Sequence, residues 1–526
     1  LPLFGNVDGG IEGQEGFIRF EDRWGDIAFR PSDRRVRIIV GRRGAGKSRY
    51  IRAMERDASS QTGEHLLVFP QRDESVWISE MRWVHRSYPE HHERVELWRR
   101  LWGAAAYAGI ASNLVNYSAP PGTTISMRPE DKAFFVDFCR QHFDKASVAF
   151  PIVSALNQFL ARYSDRSRLD SFLKEAFWTE LEDRVLKSSA ISTPVACYID
   201  TLDETFGASP AAATDCQVGL LLWMLRKFQD PNVSNRIHIV VAVRDTVYAS
   251  LMQSEHGRRF SRNDMIRCLD WTDDAALYFL QRKIDGLPPS AQVDAKEKVN
   301  NVRRWLGIEK VRNEVRSGGE ERVCDVIVRH TRFLPREIIE IGNALGQYVE
   351  HCIAEKTQPD GSAIAQIIMD TGKQLADLAI ETATDHMAAL DSDHGRTTVA
   401  NGFRQELIRA IDRVFIPALG AERFTLADLR RAEQAFTEQV GGWSPSFDWR
   451  TVSLGEVLWL HGLIGFEDTT GAKPIVKYFS STKSLRSHVS AELPDADYYY
   501  LHSALIRPKK MDIQAEAPIV ESADAD

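Results

Sequence analysis

Nothing in this chain of 526 residues provides for a helix across a bilayer. No stretch approaches the roughly 18 uninterrupted apolar residues that a spanning helix takes, and the first residues lack a basic-then-apolar leader pattern. Paired cysteines are missing too. The six present (Cys139, Cys197, Cys216, Cys268, Cys324 and Cys352) show no C-x-x-C spacing and no histidine at zinc distance. A disulfide framework and a zinc ribbon are thereby excluded, and reduced, mostly buried thiols in a soluble cytoplasmic protein are expected. Positive charge is not in excess: a net charge of -8 excludes a wholesale nucleic-acid coat protein, though not a local basic face. No internal repeat, Ser-His-Asp order or nuclease-like set of paired carboxylates stands out. The chain begins at Leu1 rather than Met, which leaves an upstream segment open.

What is there is ordinary for sizeable cores: 43% hydrophobic and 27% charged residues, in a length that fits two to four domains. Residues 1–34 read as an arm, with Phe17, Phe20, Trp24 and Phe29 expected to anchor it to the next domain. Arg35 to Val40 (RVRIIV), Val195 to Ile199 (VACYI) and Ile237 to Val243 (IHIVVAV) are short apolar runs rich in β-branched residues, the mark of strands buried on both faces. Helical periodicity separates them, which predicts an α/β core over residues 35–270 with a parallel sheet. A long helical insertion is expected at about 58–190, with helices over Ser79 to Trp102, Asp131 to Phe143, Ile152 to Tyr163 and Asp170 to Leu186. Residues 271–395 read as all-helical. Residues 396–512 read as helices followed by a hairpin, Leu463 to Phe466 and Ile475 to Ser480, in the manner of a winged helix. The acidic tail, 513–526, is expected to be disordered.

Between the first strand and its helix lies Gly41-Arg42-Arg43-Gly44-Ala45-Gly46-Lys47-Ser48, a full G-x-x-x-x-G-K-[ST] match. Glycines let the backbone turn so that its N–H groups face phosphate oxygens, and the helix that follows presents its positive end to the same anion. Lys47 is then expected to bridge the β- and γ-phosphates of ATP or GTP, and the Ser48 hydroxyl to ligate Mg²⁺. A carboxylate at the end of a neighbouring strand should share that ion. Asp200, closing VACYI, is the candidate, and Glu204, with Asp203 as rival, is the candidate base for the attacking water. Arg244 ends the Ile237 to Val243 strand, where it either reaches the γ-phosphate region or is a solvent-facing strand end. Arg336, after Pro335 at a helix start, is either a sensor of nucleotide state or plain structure. Arg258, Arg259 and Arg262 read as a solvated basic loop, with an arginine finger as the alternative.

Taken in order, GRRGAGKS, CYIDTLDE, VAVRD and TRFLPREI resemble the bacterial STAND-type P-loop ATPases, with motifs over roughly residues 30–350. The layout is similar to origin-recognition-type AAA+ ATPases, which place a helical lid and then a winged helix after the core. The resemblance implies an ATP-dependent switch or scaffold that is a homo-oligomer and works with an effector protein, often in antiphage defence. The spacing of Asp200 from Glu204 departs from the adjacent Asp-Glu of AAA+ proteins, and no repeat array follows at the C-terminus. A DNA-binding loader and a nucleotide-binding scaffold without turnover are the alternatives.

For nucleic acid, the C-terminal module offers Lys473, Lys477, Lys483, Arg486, Arg507, Lys509 and Lys510, interleaved with Tyr478, Tyr498, Tyr499 and Tyr500. Glu467, Asp468, Glu492, Asp495 and Asp497 dilute that charge. His85, His91 and His92, with Glu96 one turn on, fall short of a metal site and are expected to be solvated.

Overall fold

The computed structural model describes residues 3–5, 35–59, 66–69, 71, 78–116, 125–144, 147–191, 194–200, 210–253, 264–294, 296–297, 300–312, 319–392, 401–441, 453–471, 474–479 and 493–506. The chain forms two compact units: Phe20–Leu269, and Leu1–Arg19 together with Asp270–Asp526. The expected anchors Phe17, Phe20, Trp24 and Phe29 lie outside the described residues, as do Ala119 to Thr123 (APPGT), which read as a loop, and the acidic tail.

The first unit is α/β. Its elements run β1 (Ile38–Val40), α1 (Lys47–Ser59), β2 (Leu67–Phe69), α2 (Ile78–Ser87), α3 (His91–Asn116), α4 (Pro129–His142), α5 (Ile152–Arg162), α6 (Arg166–Lys174), α7 (Phe177–Ile191), β3 (Val195–Ile199), α8 (Pro210–Lys227), α9 (Pro231–Ser234), β4 (Ile237–Val243), α10 (Asp245–Gln253) and β5 (Ile266–Cys268). The five strands make one parallel sheet in the order β2-β3-β4-β1-β5. Every residue of β1, β3 and β4 is buried, as sequences apolar throughout but for His238 require.

After β1 the chain crosses toward β2, and each later crossover runs the other way. Right-handed connections then put α1 on one face and the later helices on the other. Accordingly α1 packs on β2, β3 and β4, while α10 packs on α8. The direction therefore reverses at β1, and in open parallel sheets the carboxyl ends of the strands beside such a point are where ligands sit.

The insertion expected to be purely helical also holds β2, whose three residues are too few to show a period. Its helices form a second layer around α3. That helix is buried along most of its length because α4, α5, α7 and α8 surround it. Gly219 of α8 allows the closest approach: a Cβ there would stand 2.5 Å from the Trp98 Cβ and 2.8 Å from the Arg99 nitrogen. Two of the expected long helices are each divided. Pro89 separates α2 from α3, and a break at residues 175–176 separates α6 from α7.

The second unit contains α11 (Asp273–Asp285), α12 (Asn301–Leu306), β6 (Lys310–Arg312), β7 (Glu320–Arg322), α13 (Val323–Arg329), α14 (Pro335–Glu355), α15 (Gly361–Ser392), α16 (Asn401–Ala410), α17 (Ile416–Leu419), β8 (Arg423–Phe424), α18 (Leu426–Gly441), α19 (Leu454–Leu460), β9 (Ile464–Asp468), β10 (Ile475–Tyr478) and β11 (Tyr499–Leu501). The all-helical reading of residues 271–395 is thus corrected by the antiparallel pair β6 and β7. The hairpin expected near the C-terminus exists as β9 and β10, but it belongs to a four-stranded antiparallel sheet, β10-β9-β11-β8. Phe424, Ile464, Tyr499 and Leu501 of that sheet bury against α15 to α19 in one core.

Phe4, 1% exposed, packs on α14 where Gly342 has no side chain: a Cβ there would lie 2.4 Å from the Phe4 ring. Asn343 fixes the backbone on either side, accepting from the Phe4 amide at 2.8 Å and donating to the Gly5 carbonyl at 3.1 Å.

Candidate functional site

Val40 of β1 is level with Val243 of β4 on one side and Cys268 of β5 on the other. The segments that follow these three strands therefore leave the sheet side by side. Gly41 donates its amide to the Val243 carbonyl at 3.2 Å, and Leu269 donates to the Val40 carbonyl at 2.7 Å. Packing around Gly41 is tight, since a Cβ would stand 3.2 Å from that of Ala45 and 3.3 Å from that of Leu269.

The loop then turns through two left-handed residues, Gly44 at φ 89° and Gly46 at φ 92°. Such angles cost any other residue a backbone penalty. Among the described residues no heavy atom stands within 4 Å of where a Gly46 Cβ would be, so these leave the space beside that backbone open. The Ala45 amide donates to the Arg42 carbonyl at 3.1 Å. Lys47 opens α1, only 8% exposed, and its ammonium lies over the loop, donating to the carbonyls of Gly41 at 2.9 Å and Arg42 at 3.2 Å. No acidic residue occupies the first turn of α1, leaving its positive end uncompensated by any carboxylate of its own. Ser48 is half-buried beside Lys47, and Arg43 is exposed.

Arg42 turns the other way. Its Nε meets Asp245 Oδ2 at 3.2 Å, and Asp245 is 5% exposed at the start of α10. Arg244, half-buried, precedes it and gives its carbonyl to the Tyr248 amide at 3.2 Å. The pairing of Arg42 with Asp245 spans 203 residues and has no signature at either end; the one sequence signal was that Asp245 lies just past the end of a buried strand, after Arg244.

Asp200 is half-buried where β3 ends. Its strand pairs with β4, not with β1, so it is the second neighbour of the glycine-rich loop rather than the adjacent one expected, roughly 10 Å away between strand axes. Ile199 faces Val241, which in turn faces Ile38. Asp203 and Glu204 lie outside the described residues, as do Arg258, Arg259 and Arg262. Among the described residues no three or more His, Cys, Asp and Glu side chains converge as a metal-binding group. A metal held by Ser48 and Asp200 would thus draw its remaining ligands from elsewhere, water and phosphate oxygens being the ordinary source.

Arg336 belongs to the other unit, at the second residue of α14, half-buried and making no ion pair among the described residues. The turn that carries it is well held. Glu337, 2% exposed, accepts from the Arg332 amide at 2.5 Å and from its Nε at 2.7 Å, and Phe333 sits at φ 63°. His502 meets the Thr331 carbonyl at 3.1 Å, which ties this turn to the segment after β11.

One surface expectation needs correction. Lys477, offered for phosphate contact, is ion-paired with Asp468 across the β9–β10 hairpin; that hydrogen bond, with two from Thr470, holds the carboxyl well below the usual range. Tyr499 and Tyr500 are core residues, 1% and 2% exposed, because β11 runs between two other strands. Tyr498 is exposed, but the Arg423 guanidinium lies over its ring at 3.5 Å. Lys473, Lys483, Arg486, Arg507, Lys509 and Lys510 lie outside the described residues. His91 and His92, expected to be solvated, are exposed, and His91 also meets the buried carboxylate of Asp215 at 2.7 Å, a partner gripped by Arg94.

Among the described residues no helix is long and apolar enough to cross a membrane. No disulfide joins the six cysteines, and all are buried. Comparison with protein families, curated proteins and solved structures finds no match to this chain.

Proposed function

We propose that this chain is a Mg²⁺-dependent ATP-binding and hydrolysing switch, a P-loop NTPase in which Gly41 to Ser48 takes the triphosphate. The observation that carries the reading is the loop itself. It joins a buried parallel strand to a helix N-terminus at the point where the sheet's connections reverse, with open space beside Gly46 and the Lys47 ammonium over it. This arrangement fits a phosphate: amides from left-handed glycines, a helix end and a buried cation converge, with no carboxylate in the first helical turn.

On this reading Lys47 exchanges its loop carbonyls for β- and γ-phosphate oxygens as nucleotide enters. Ser48 and Asp200 hold the metal, which when bound neutralises charge developing on the phosphoryl oxygens. Glu204, or Asp203, orients and deprotonates water, and Arg244 stabilises the γ-phosphate from the end of β4. Residues 271–395 act as the helical lid, with Arg336 as the sensor of nucleotide state. The C-terminal four-stranded module stands in the place of a winged helix. The broader role proposed is that of a cytoplasmic, STAND-like homo-oligomer that controls an effector protein in antiphage defence. The ion-paired Lys477 and the buried tyrosines give no support to a DNA-binding module.

Calorimetry with Mg-ATP and Mg-GTP tests the core of this proposal. Lys47→Ala is expected to weaken binding by about a hundredfold, the loss of roughly 2.7 kcal/mol of charge-assisted contact. Glu204→Gln should retain binding while phosphate release falls by at least about a hundredfold. A wild-type chain that takes up neither nucleotide would sink the reading.

A further inference from the structure

The residue after Arg244 has been given no task so far. Asp245 is nearly inaccessible, yet it spends one carboxylate oxygen on Arg42 of the glycine-rich loop and the other on the Thr246 amide, at 3.2 Å and 3.0 Å. Arg42 is where the loop's internal bonds meet. Its carbonyl accepts from both Lys47 and the Ala45 amide, and the residue before it donates to the Val243 carbonyl, two positions ahead of Asp245. The side chain of Arg42 therefore fastens to the end of β4 the same residue whose carbonyl orients Lys47. Burial sharpens the consequence: the side chains of this pair are 16% and 6% exposed, so solvent cannot readily replace either partner.

A loop with two left-handed glycines has many shapes to choose from when nothing holds it, and binding in one shape is weakened by the time spent in the others. We propose that Asp245 is a positioning residue for phosphate binding, acting through Arg42 to hold the Gly41–Ser48 loop in its anion-binding shape before nucleotide arrives. The role rests on the phosphate-binding reading of that loop. On this proposal Asp245 acts through Arg42 and not by contact with phosphate or metal. Its effect belongs to the binding step, because the loop's shape is needed equally in the ground state and in the transition state.

The test is a double-mutant cycle on the full chain, with steady-state phosphate release, Mg-ATP calorimetry and a melting temperature for each variant. Asp245→Asn and Arg42→Ala should each raise KM for Mg-ATP by about tenfold while kcat stays within about threefold, and the double variant should be no worse than the weaker single one. Arg42→Lys keeps a cation within reach of the carboxylate and should return KM to within about threefold of the wild type. Arg42 lies on a loop, so its variants carry the test even if Asp245→Asn does not fold. Additive losses in the double variant, an unchanged KM in Arg42→Ala, or a fall confined to kcat would each overturn the positioning role. A wild type that binds Mg-ATP beside Asp245→Asn and Arg42→Ala that bind it equally well removes this inference alone. A wild type that does not bind removes the phosphate-site reading and this inference with it.

Discussion

One imidazole in the helical insertion should make the first unit sensitive to mild acid. His142 ends α4, 9% exposed, stacked on Phe177 at 5.2 Å with Phe138 and Phe172 around it. Burial in this aromatic cluster, and secondarily the charge of Arg162, push its pKa from 6.5 down to about 4. Above pH 6.5 the ring is neutral in both the folded and the unfolded chain, so no penalty arises. As pH falls below that value the unfolded chain takes up a proton that the folded chain refuses until about pH 4, and stability drains away across this window. Between pH 7 and pH 5 the loss attributable to this group should be about 2 kcal/mol at most. Urea unfolding at both pH values checks it: His142→Phe should lose less stability over that interval than the wild type, and an equal loss would show that the imidazole is not the group responsible. At this scale the sequence was informative where one residue type has one role in a fixed spacing, as with Lys47 and Ser48. It was silent on Asp245 and Arg42, because an ion pair across 203 residues has no local pattern to read.

Element by element, legibility followed burial and length. β3 and β4 were plain because runs of five residues, all apolar, and seven, apolar but for His238, can lie only between two covered faces. β5, β6, β7 and β8 have two or three residues each, too few to repeat the two-residue period, and their pairing is decided by neighbours distant in sequence. Helix ends were harder still, and one of them carries a cost that can be removed. α14 terminates at Lys356, which adopts φ 57° so that its amide reaches the Ile353 carbonyl at 3.2 Å and the Thr357 amide reaches the Cys352 carbonyl at 2.9 Å. These are the two bonds of a left-handed helix terminus, a place where glycine is favoured. The Lys356 side chain is exposed and makes no ion pair among the described residues. Lys356→Gly should therefore stabilise the chain by about 1 kcal/mol, read as a higher denaturant midpoint with an unchanged slope. A lower midpoint would mean that the lysine stem supports packing not apparent from its exposure.

At the scale of the whole molecule the question is whether nucleotide state is felt beyond the first unit. The segment through Arg336, the proposed sensor, is held at several points. Glu337 closes the turn onto the Arg332 backbone, Phe333 is held in a left-handed conformation that no phenylalanine adopts without support, and His502 bonds the Thr331 carbonyl from beyond β11. A pull on Arg336 would therefore be passed to the four-stranded sheet through a short, rigid path within one unit. Hydrogen exchange should register it. With saturating Mg-ATP, amides of residues 41–48 should slow because phosphate oxygens occupy them, and those of 331–337 should slow because Arg336 becomes engaged. In Arg336→Ala the first protection should persist and the second should vanish, while the core of α16 to α19 keeps its own slow exchange throughout. Protection at 41–48 alone in the wild type would leave Arg336 as plain helix-start structure and confine the nucleotide's influence to the parallel-sheet unit.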